Sequence, residues 1–279
     1  MNKEKKYLIT GGSGFLGRAL IQKLNDTGFN NLVVLARNEG GLSQLKTDFP
    51  AISIVPGDVA DTFALLMACQ GVSGIFHLAA MKHVTMAEEN VRQCVYSNII
   101  GTLNVLNASV GIDFVVGVSS DKAARVSGVY GATKYLQERL FVDYQKMNPR
   151  TKFRTARFGN IIYSTGSVLC KWKELIMSDR EVLITEPDST RFYWTVDQAA
   201  EFLLKQIDTN SAEPSSTPIK AVRLGDLLEV MYEKYGVGDK KIKVIGLQVG
   251  ESKHENLSDD LPDSLLADRY TKEELTQII

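Results

Sequence analysis

Gly11-Gly12-Ser13-Gly14-Phe15-Leu16-Gly17 follows directly on a short apolar run, Lys6 to Thr10, and leads directly into an amphipathic run, Arg18 to Thr27. Gly12, Gly14 and Gly17 satisfy G-x-G-x-x-G, and Gly11, Gly14 and Gly17 satisfy the related G-x-x-G-x-x-G. Alone such a match is weak. Between a strand and a helix, its glycines permit a tight turn, close approach of backbone to a pyrophosphate and close packing of helix on strand. The helix N-terminus then offers free N–H groups and a partial positive charge to the phosphates. The predicted fold is α/β, a Rossmann-type doubly wound parallel sheet with a small C-terminal lobe.

The runs that follow fit that frame. Asn31 to Ala36 reads as the second strand and ends in Arg37 rather than an acid. An Asp there would hold a ribose 2′-hydroxyl, whereas Arg pairs with a 2′-phosphate, so NADP is favoured over NAD, with Glu39 nearby keeping NAD open. A third strand, Ile52 to Val55, leads into Gly57-Asp58-Val59, and Asp61 is placed to cap a helix over Thr62 to Cys69. A fourth, Gly74 to Leu78, runs into Ala79-Ala80-Met81-Lys82-His83-Val84, where small residues let backbone approach a cofactor. One helix is expected from about Val91 to Val110, then a strand from Phe114 to Val118, a helix to about Met147 and a strand over Lys152 to Arg157. Residues 1–160 form the expected dinucleotide-binding domain, to which the chain returns around 190–210, and residues 161–279 form mainly a substrate-binding lobe. Within 161–279, Thr195 is placed to cap a helix running through Asp208, a helix is expected over Gly225 to Tyr235 and a strand over Lys241 to Ile245.

With 32 basic and 33 acidic side chains the net charge is −1, so no global field points to nucleic acid or an anionic membrane. No signal peptide precedes the glycine loop and no apolar stretch is long and uninterrupted enough to span a bilayer, so a cytoplasmic location without membrane contact is expected. Cys69, Cys94 and Cys170 are odd in number and lack C-x-x-C spacing, as free thiols in a reducing compartment do. His77, His83 and His254 lack metal-ligand spacing, and no metal is expected.

The chemistry-bearing stretch is Ser119 to Tyr135, SSDKAARVSGVYGATKY. Tyr130 and Lys134 are four apart and share one face of a helix. A neighbouring ammonium and an oxidised nicotinamide both favour the phenolate, which equips Tyr130 to take a proton from a sugar hydroxyl. Ser120, at the end of an apolar strand, is placed to hydrogen-bond the same oxygen, and Asp121 and Lys122 add an acid and an amine. Together with the glycine loop, these residues resemble the active site of an extended short-chain dehydrogenase/reductase. The strings Ser120-Asp121-Lys122-Ala123-Ala124 and Tyr130-Gly131-Ala132-Thr133-Lys134 are similar to those of soluble, inverting UDP-N-acetylglucosamine 4,6-dehydratases.

The resemblance implies catalysis by Ser120, Asp121, Lys122, Tyr130 and Lys134. It implies cofactor binding by Gly11, Gly14, Phe15, Leu16, Gly17, Arg37, Asp58, Val59, Ala79, Ala80, Tyr130 and Lys134. Substrate contacts are implied at Lys82, His83, Asn160, Ser167, Arg191 and Glu251, and Asn98 resembles an asparagine that helps to organise the catalytic lysine. In the implied mechanism Tyr130 acts on the 4-hydroxyl, Lys122 removes the proton on carbon 5 provided burial and nearby positive charge hold it neutral, and Asp121 protonates the departing 6-hydroxyl. A homo-oligomer and a place in deoxyamino-sugar synthesis for a glycan are also implied. The chain departs from the family pattern at Thr165 and Gln248, where relatives carry arginines, and in a strand absent near Pro214. A 4-epimerase or reductase, or a non-catalytic dinucleotide-binding sensor, therefore remains open.

Overall fold

The computed structural model describes residues 1–279. Six parallel strands are laid down by the first part of the chain: β1 (Lys6–Thr10), β2 (Leu32–Ala36), β3 (Ser53–Pro56), β4 (Val72–His77), β5 (Phe114–Ser120) and β6 (Lys152–Phe158). Their order in the sheet is β3-β2-β1-β4-β5-β6, so the winding reverses between β1 and β4. Alternate residues divide between two cores, as the two-residue period of a strand requires. Tyr7, Ile9, Leu32, Val34, Phe114 and Val116 belong to one, and Leu8, Val33, Leu35 and Val115 to the other. Helices α1 (Phe15–Asp26) and α2 (Glu39–Asp48) cover the first face. The second is covered by α3 (Thr62–Ala68), capped by the Asp61 carboxylate as its sequence predicts, and by helices that follow β4.

After β4 the chain makes α4 (Val84–Glu89), α5 (Val91–Val95), a π-helical turn over Tyr96–Ile100 and α6 (Gly101–Ala108). The single helix expected over Val91 to Val110 is thus interrupted and ends sooner. The wide turn contains Asn98, whose Oδ1 accepts from the Met81 N–H at 2.7 Å while Nδ2 donates to Met81 O and to Thr133 Oγ1, each at 3.0 Å. Tertiary bonds, rather than local propensity, hold the extra residue in that turn.

The last helix of this half, α7 (Val129–Met147), has no side-chain cap of its own; Glu88 of α4 accepts from the Val129 N–H at 2.6 Å instead. Gly131 lets α7 pack against the turn that follows β5, since a Cβ there would collide with Lys122 O. The β5–β6 pairing runs the length of both strands, from Phe114 opposite Lys152 to Ser120 opposite Phe158, and so brings Ser120 to the carboxyl edge of the sheet.

Beyond β6 the chain forms β7 (Asn160–Ile161), α8 (Val168–Met177), β8 (Val182–Ile184), β9 (Thr190–Trp194), α9 (Val196–Lys205), β10 (Ala221–Arg223), α10 (Leu224–Tyr235), β11 (Ile242–Val244) and α11 (Lys272–Ile278). α9 starts in a capping box formed by Thr195 and Gln198 and packs on α1 with Trp194, Ala199 and Leu203 inside the first sheet-face core. The rest builds a separate core around Trp172, Tyr193, Leu227 and Met231, with small sheets β10-β9-β7 and β11-β8. The strand judged absent near Pro214 survives as one bridge. Ser215 N–H donates to Thr155 O at 2.9 Å and Ser215 O accepts from the Arg157 N–H at 2.8 Å, which pairs the loop with the outer edge of β6.

Candidate active site

One continuous cavity of about 1100 Å³ runs from the glycine loop, across the carboxyl ends of the strands, to the small core. At its first end Gly11 has φ +69°, and a Cβ there would stand 2.7 Å from Ala79 N, so only glycine lets these two cavity-lining segments meet. No side chain caps α1, and Gly14, Phe15, Leu16 and Gly17 line the cavity with the first-turn N–H groups open to it. These residues fit a dinucleotide pyrophosphate. Ala79 and Ala80, next to the glycine loop, and the buried Val59 also line the cavity. Asp58 closes its own turn by accepting from the Ala60 N–H at 3.0 Å, and its other oxygen is 3.5 Å from Arg37 Nη1. The Arg37 side chain is 60% exposed at the cavity mouth.

In the centre, β5 ends in Ser120 and a 3₁₀ turn over Asp121–Ala123. Asp121 is only 1% exposed, so this is a buried acidic turn rather than a solvated loop. Its Oδ1 accepts from Ser120 Oγ at 2.8 Å, from the Lys122 N–H at 2.9 Å and from Lys122 Nζ at 3.1 Å. Its Oδ2 is buried without a protein partner. A buried carboxylate oxygen left without a donor is costly unless a ligand supplies one. Ser120, predicted to hydrogen-bond the sugar hydroxyl oxygen on which Tyr130 acts, donates its hydrogen bond to Asp121 here.

The charges differ from those expected. Burial works to neutralise Lys122, but the carboxylates of Asp121 and Glu255 outweigh it and hold the ammonium above the usual lysine range. The amine is therefore charged before any substrate arrives, not neutral. Tyr130 is raised to about 12 by burial, against the pull of the Lys122 ammonium. Lys134, expected to lower the phenol, donates instead to Val118 O at 2.8 Å and to Gln137 Oε1 at 2.9 Å, and burial brings it down to about 8. Asn98 does not touch Lys134; it ties the loop after β4 to α7 through Thr133.

The second end is lined by Lys82, His83, Asn160, Ser167, Arg191 and Glu251. Lys82 Nζ donates across the cavity to Thr165 O at 3.0 Å, and Ser167 caps α8. Arg191 is buried and donates to the carbonyls of Thr190 and Lys253, and Glu251 accepts from the Gln248 N–H within its own turn. Sequence reasoning missed Glu255, which is buried beside Lys122 and Arg191, and Tyr193, buried on β9 and lining the same space. Glu255 stands far from the Asp-Lys pair along the chain, and no spacing links them.

Residues 7–273 match the polysaccharide biosynthesis protein family. The UDP-N-acetylglucosamine 4,6-dehydratase (inverting) of Campylobacter jejuni serotype O:2 is 32% identical over 271 residues, covering 93% of this chain and 80% of that protein. A protein of Methanocaldococcus jannaschii, called uncharacterized membrane protein MJ1061, is 35% identical over 268 residues, covering 91% and 80%. No helix of the present chain is long and apolar enough to cross a membrane. The solved structure of Pen from Bacillus thuringiensis superposes with a TM-score of 0.93 at 29% identity, covering 99% of this chain and 96% of that one. The UDP-glucose 4-epimerase of Thermus thermophilus, solved with NAD, shares the fold with a TM-score of 0.82 at 17% identity, covering 98% and 97%. From its sequence and its fold alike, the chain belongs to the polysaccharide biosynthesis protein family, a nucleotide-sugar dehydratase and epimerase branch of the extended short-chain dehydrogenase/reductases.

Proposed function

We propose that this protein is a 4,6-dehydratase that converts UDP-N-acetylglucosamine to a 4-keto-6-deoxy sugar with inversion at carbon 5, for deoxyamino-sugar synthesis. The observation that carries this reading is the buried Asp121-Lys122 pair beside Ser120 and Tyr130, with Asp121 Oδ2 unpartnered. Epimerisation at carbon 4 needs one base at the 4-hydroxyl and room for the keto sugar to turn over. A second acid and base next to the tyrosine serve chemistry at a neighbouring carbon. NADP is the proposed cofactor because Arg37, at the end of β2, is exposed and only loosely paired, and so is available to a 2′-phosphate. The unpaired Cys69, Cys94 and Cys170 support a reducing compartment such as the cytoplasm.

A dinucleotide held by Gly11, Gly14, Gly17 and Ala79 would supply the redox chemistry, a hydride acceptor for carbon 4 and a hydride donor for carbon 6. The protein's own part is proton transfer. Tyr130 takes the proton of the 4-hydroxyl once its own phenolic proton has left to solvent, the Lys122 ammonium favouring the phenolate against burial. Lys122, resting as an ammonium, passes a proton to Asp121 across 3.1 Å, and that single transfer makes an amine and a carboxylic acid out of an ion pair. The amine first removes the carbon-5 proton, acidified by the 4-keto group, and Asp121 then protonates the 6-hydroxyl, which leaves as water from the enolate. Lys82, His83, Asn160, Ser167, Arg191 and Glu251 are proposed to orient the nucleotide sugar in the second half of the cavity.

Incubation with UDP-N-acetylglucosamine and NADP should give a product lighter by one water, without net formation of NADPH. Lys122→Ala should reduce that product on the order of 10²-fold or more, and calorimetry should find tighter binding of NADP than of NAD. A 4-epimerase is the second reading, supported by the Rickettsia bellii relative named UDP-glucose 4-epimerase, 28% identical over 264 residues. A product of unchanged mass with an inverted carbon 4 would establish it instead, and tighter binding of NAD would overturn the cofactor assignment.

A further inference from the structure

Glu255 has no part in the mechanism above, yet it reaches the same cluster from the far end of the chain. It is 4% exposed, and its Oε1 stands 3.4 Å from Lys122 Nζ and 3.6 Å from Arg191 Nε. The backbone that presents it is fixed on every side. Glu255 N–H donates to Ser264 Oγ at 2.7 Å, and Ser264 N–H donates back to Glu255 O at 2.8 Å. Thr190 N–H and Arg191 Nη1 each donate to Lys253 O at 3.0 Å. Arg157, paired with the buried carboxylate of Glu138, donates from Nη1 to Leu257 O at 2.9 Å. Three alternate residues of one irregular segment are thus anchored, and the side chain between the outer two is aimed at the lysine.

We propose that Glu255 is the positioning carboxylate of the elimination: it fixes Lys122 Nζ and stabilises the ammonium that forms when Lys122 takes the carbon-5 proton. This rests on the dehydratase reading. The relation is that of an orienting acid to a general base, transposed from imidazole to amine. The need for a second carboxylate follows from the proton count. Once Lys122 has passed its proton to Asp121, Asp121 is neutral. The nitrogen lone pair then takes the carbon-5 proton: the C–H bond breaks, an N–H bond forms, and the electron pair passes into the enolate of the 4-keto sugar. At that moment Asp121 has no charge to offer, and Glu255 is the carboxylate left at ion-pair distance from the new ammonium. Arg191, on its far side, keeps it oriented and compensated.

The groups that face Lys122 are Asp121 on its own turn, Tyr130 on α7, Tyr193 and Arg191 on β9, and Glu255. Among them only Asp121 and Glu255 are carboxyls; burial raises that of Glu255, and the Lys122 and Arg191 cations on either side of it work against that rise. The test therefore compares wild type with Glu255→Gln and Glu255→Asp in three readings: water loss, exchange of solvent deuterium into carbon 5, and acetylation of Lys122 by acetic anhydride followed across pH by mass spectrometry.

Glu255→Gln should slow exchange and water loss by roughly 100-fold with KM for the nucleotide sugar little changed, and Lys122 should begin to react at lower pH than in wild type. Glu255→Asp, which keeps the charge but draws it back, should recover part of both. Equal exchange rates in wild type and Glu255→Gln, or an acetylation profile that does not move, would overturn the proposal. If Glu255→Gln does not fold, an unaltered exchange rate in Glu255→Asp overturns it. A wild type that releases no water refutes the dehydratase reading instead, and the acetylation profile still decides whether Glu255 governs the charge of Lys122.

Discussion

Burial and charge compete at single nitrogens in this protein, and the outcome depends on who the neighbours are. Lys122 and Lys134 are both enclosed; two carboxylates keep the first charged, whereas Lys134 is brought down to about 8 because burial outweighs the attraction of Glu138. His77 is the uncompensated case. Its ring lies between Thr10 Oγ1 at 2.8 Å and Thr102 Oγ1 at 3.1 Å, and burial, reinforced by Lys134, lowers its pKa to about 3. In the unfolded chain it would titrate near 6.5, so between 6.5 and about 3 only the unfolded state takes up the proton. That stability is present above 6.5 and lost as pH falls, by about 1.4 kcal/mol per pH unit from this one group. His77→Asn should flatten the pH dependence of the urea midpoint just below 6.5 while lowering stability at neutral pH; an equally steep fall in the variant would show that other groups carry it. The adjacent Asp121 and Lys122 were legible in the sequence because they follow directly on Ser120. The charge of Lys122 was not, since it depends in part on Glu255, which only the folded chain brings near.

Among the elements, the six strands and the helices α3, α7 and α10 could be read within a residue or two from apolar runs and caps, because their hydrophobic period and their turn residues agree, while α1 starts three residues before the amphipathic run, at Phe15. The break between α5 and α6 could not. Gly101 and the asparagines weaken VRQCVYSNIIGTLNVLNA as a helix without saying where it widens; the wide turn sits where it does because Asn98 satisfies both backbone groups of Met81 and reaches Thr133 at once. Asn98→Ala would leave the Met81 N–H without its acceptor beside the cavity, at a cost of about 1–3 kcal/mol. We expect a lower melting temperature and weaker dinucleotide binding, since the loop from Ala79 to His83 would lose its tether to α7. Unchanged binding in calorimetry would show that the loop is held by its other contacts. α8 and α11 also escaped sequence reading, being short and surrounded by turn-forming residues, although Ser167 and Thr271 cap them in ordinary fashion.

At the scale of the molecule, α5 and the π turn pack beside α7 and leave an apolar face: Val91, Val95 and Tyr96 on one side, and Tyr135 and Leu136 on the other, with Leu136 51% exposed. Such a face on two adjacent helices suits a second copy of the chain. We expect wild type to be a homo-oligomer by light scattering and Leu136→Glu to reduce its mass; an unchanged mass would place any interface elsewhere. The sheet and its cavity were foreseeable as a whole because one glycine loop, read in context, commits the chain to them. The second half was less so, since its short strands pair with partners distant in sequence, as β8 does with β11. The single bridge at Ser215 has a consequence for behaviour at high concentration. An open parallel edge is a template on which other chains polymerise. Here Pro56 ends the strand at one margin with a residue that has no N–H to offer, and at the other margin one loop residue occupies the middle of β6. The molecule thereby guards both margins against fibre growth without building a seventh strand.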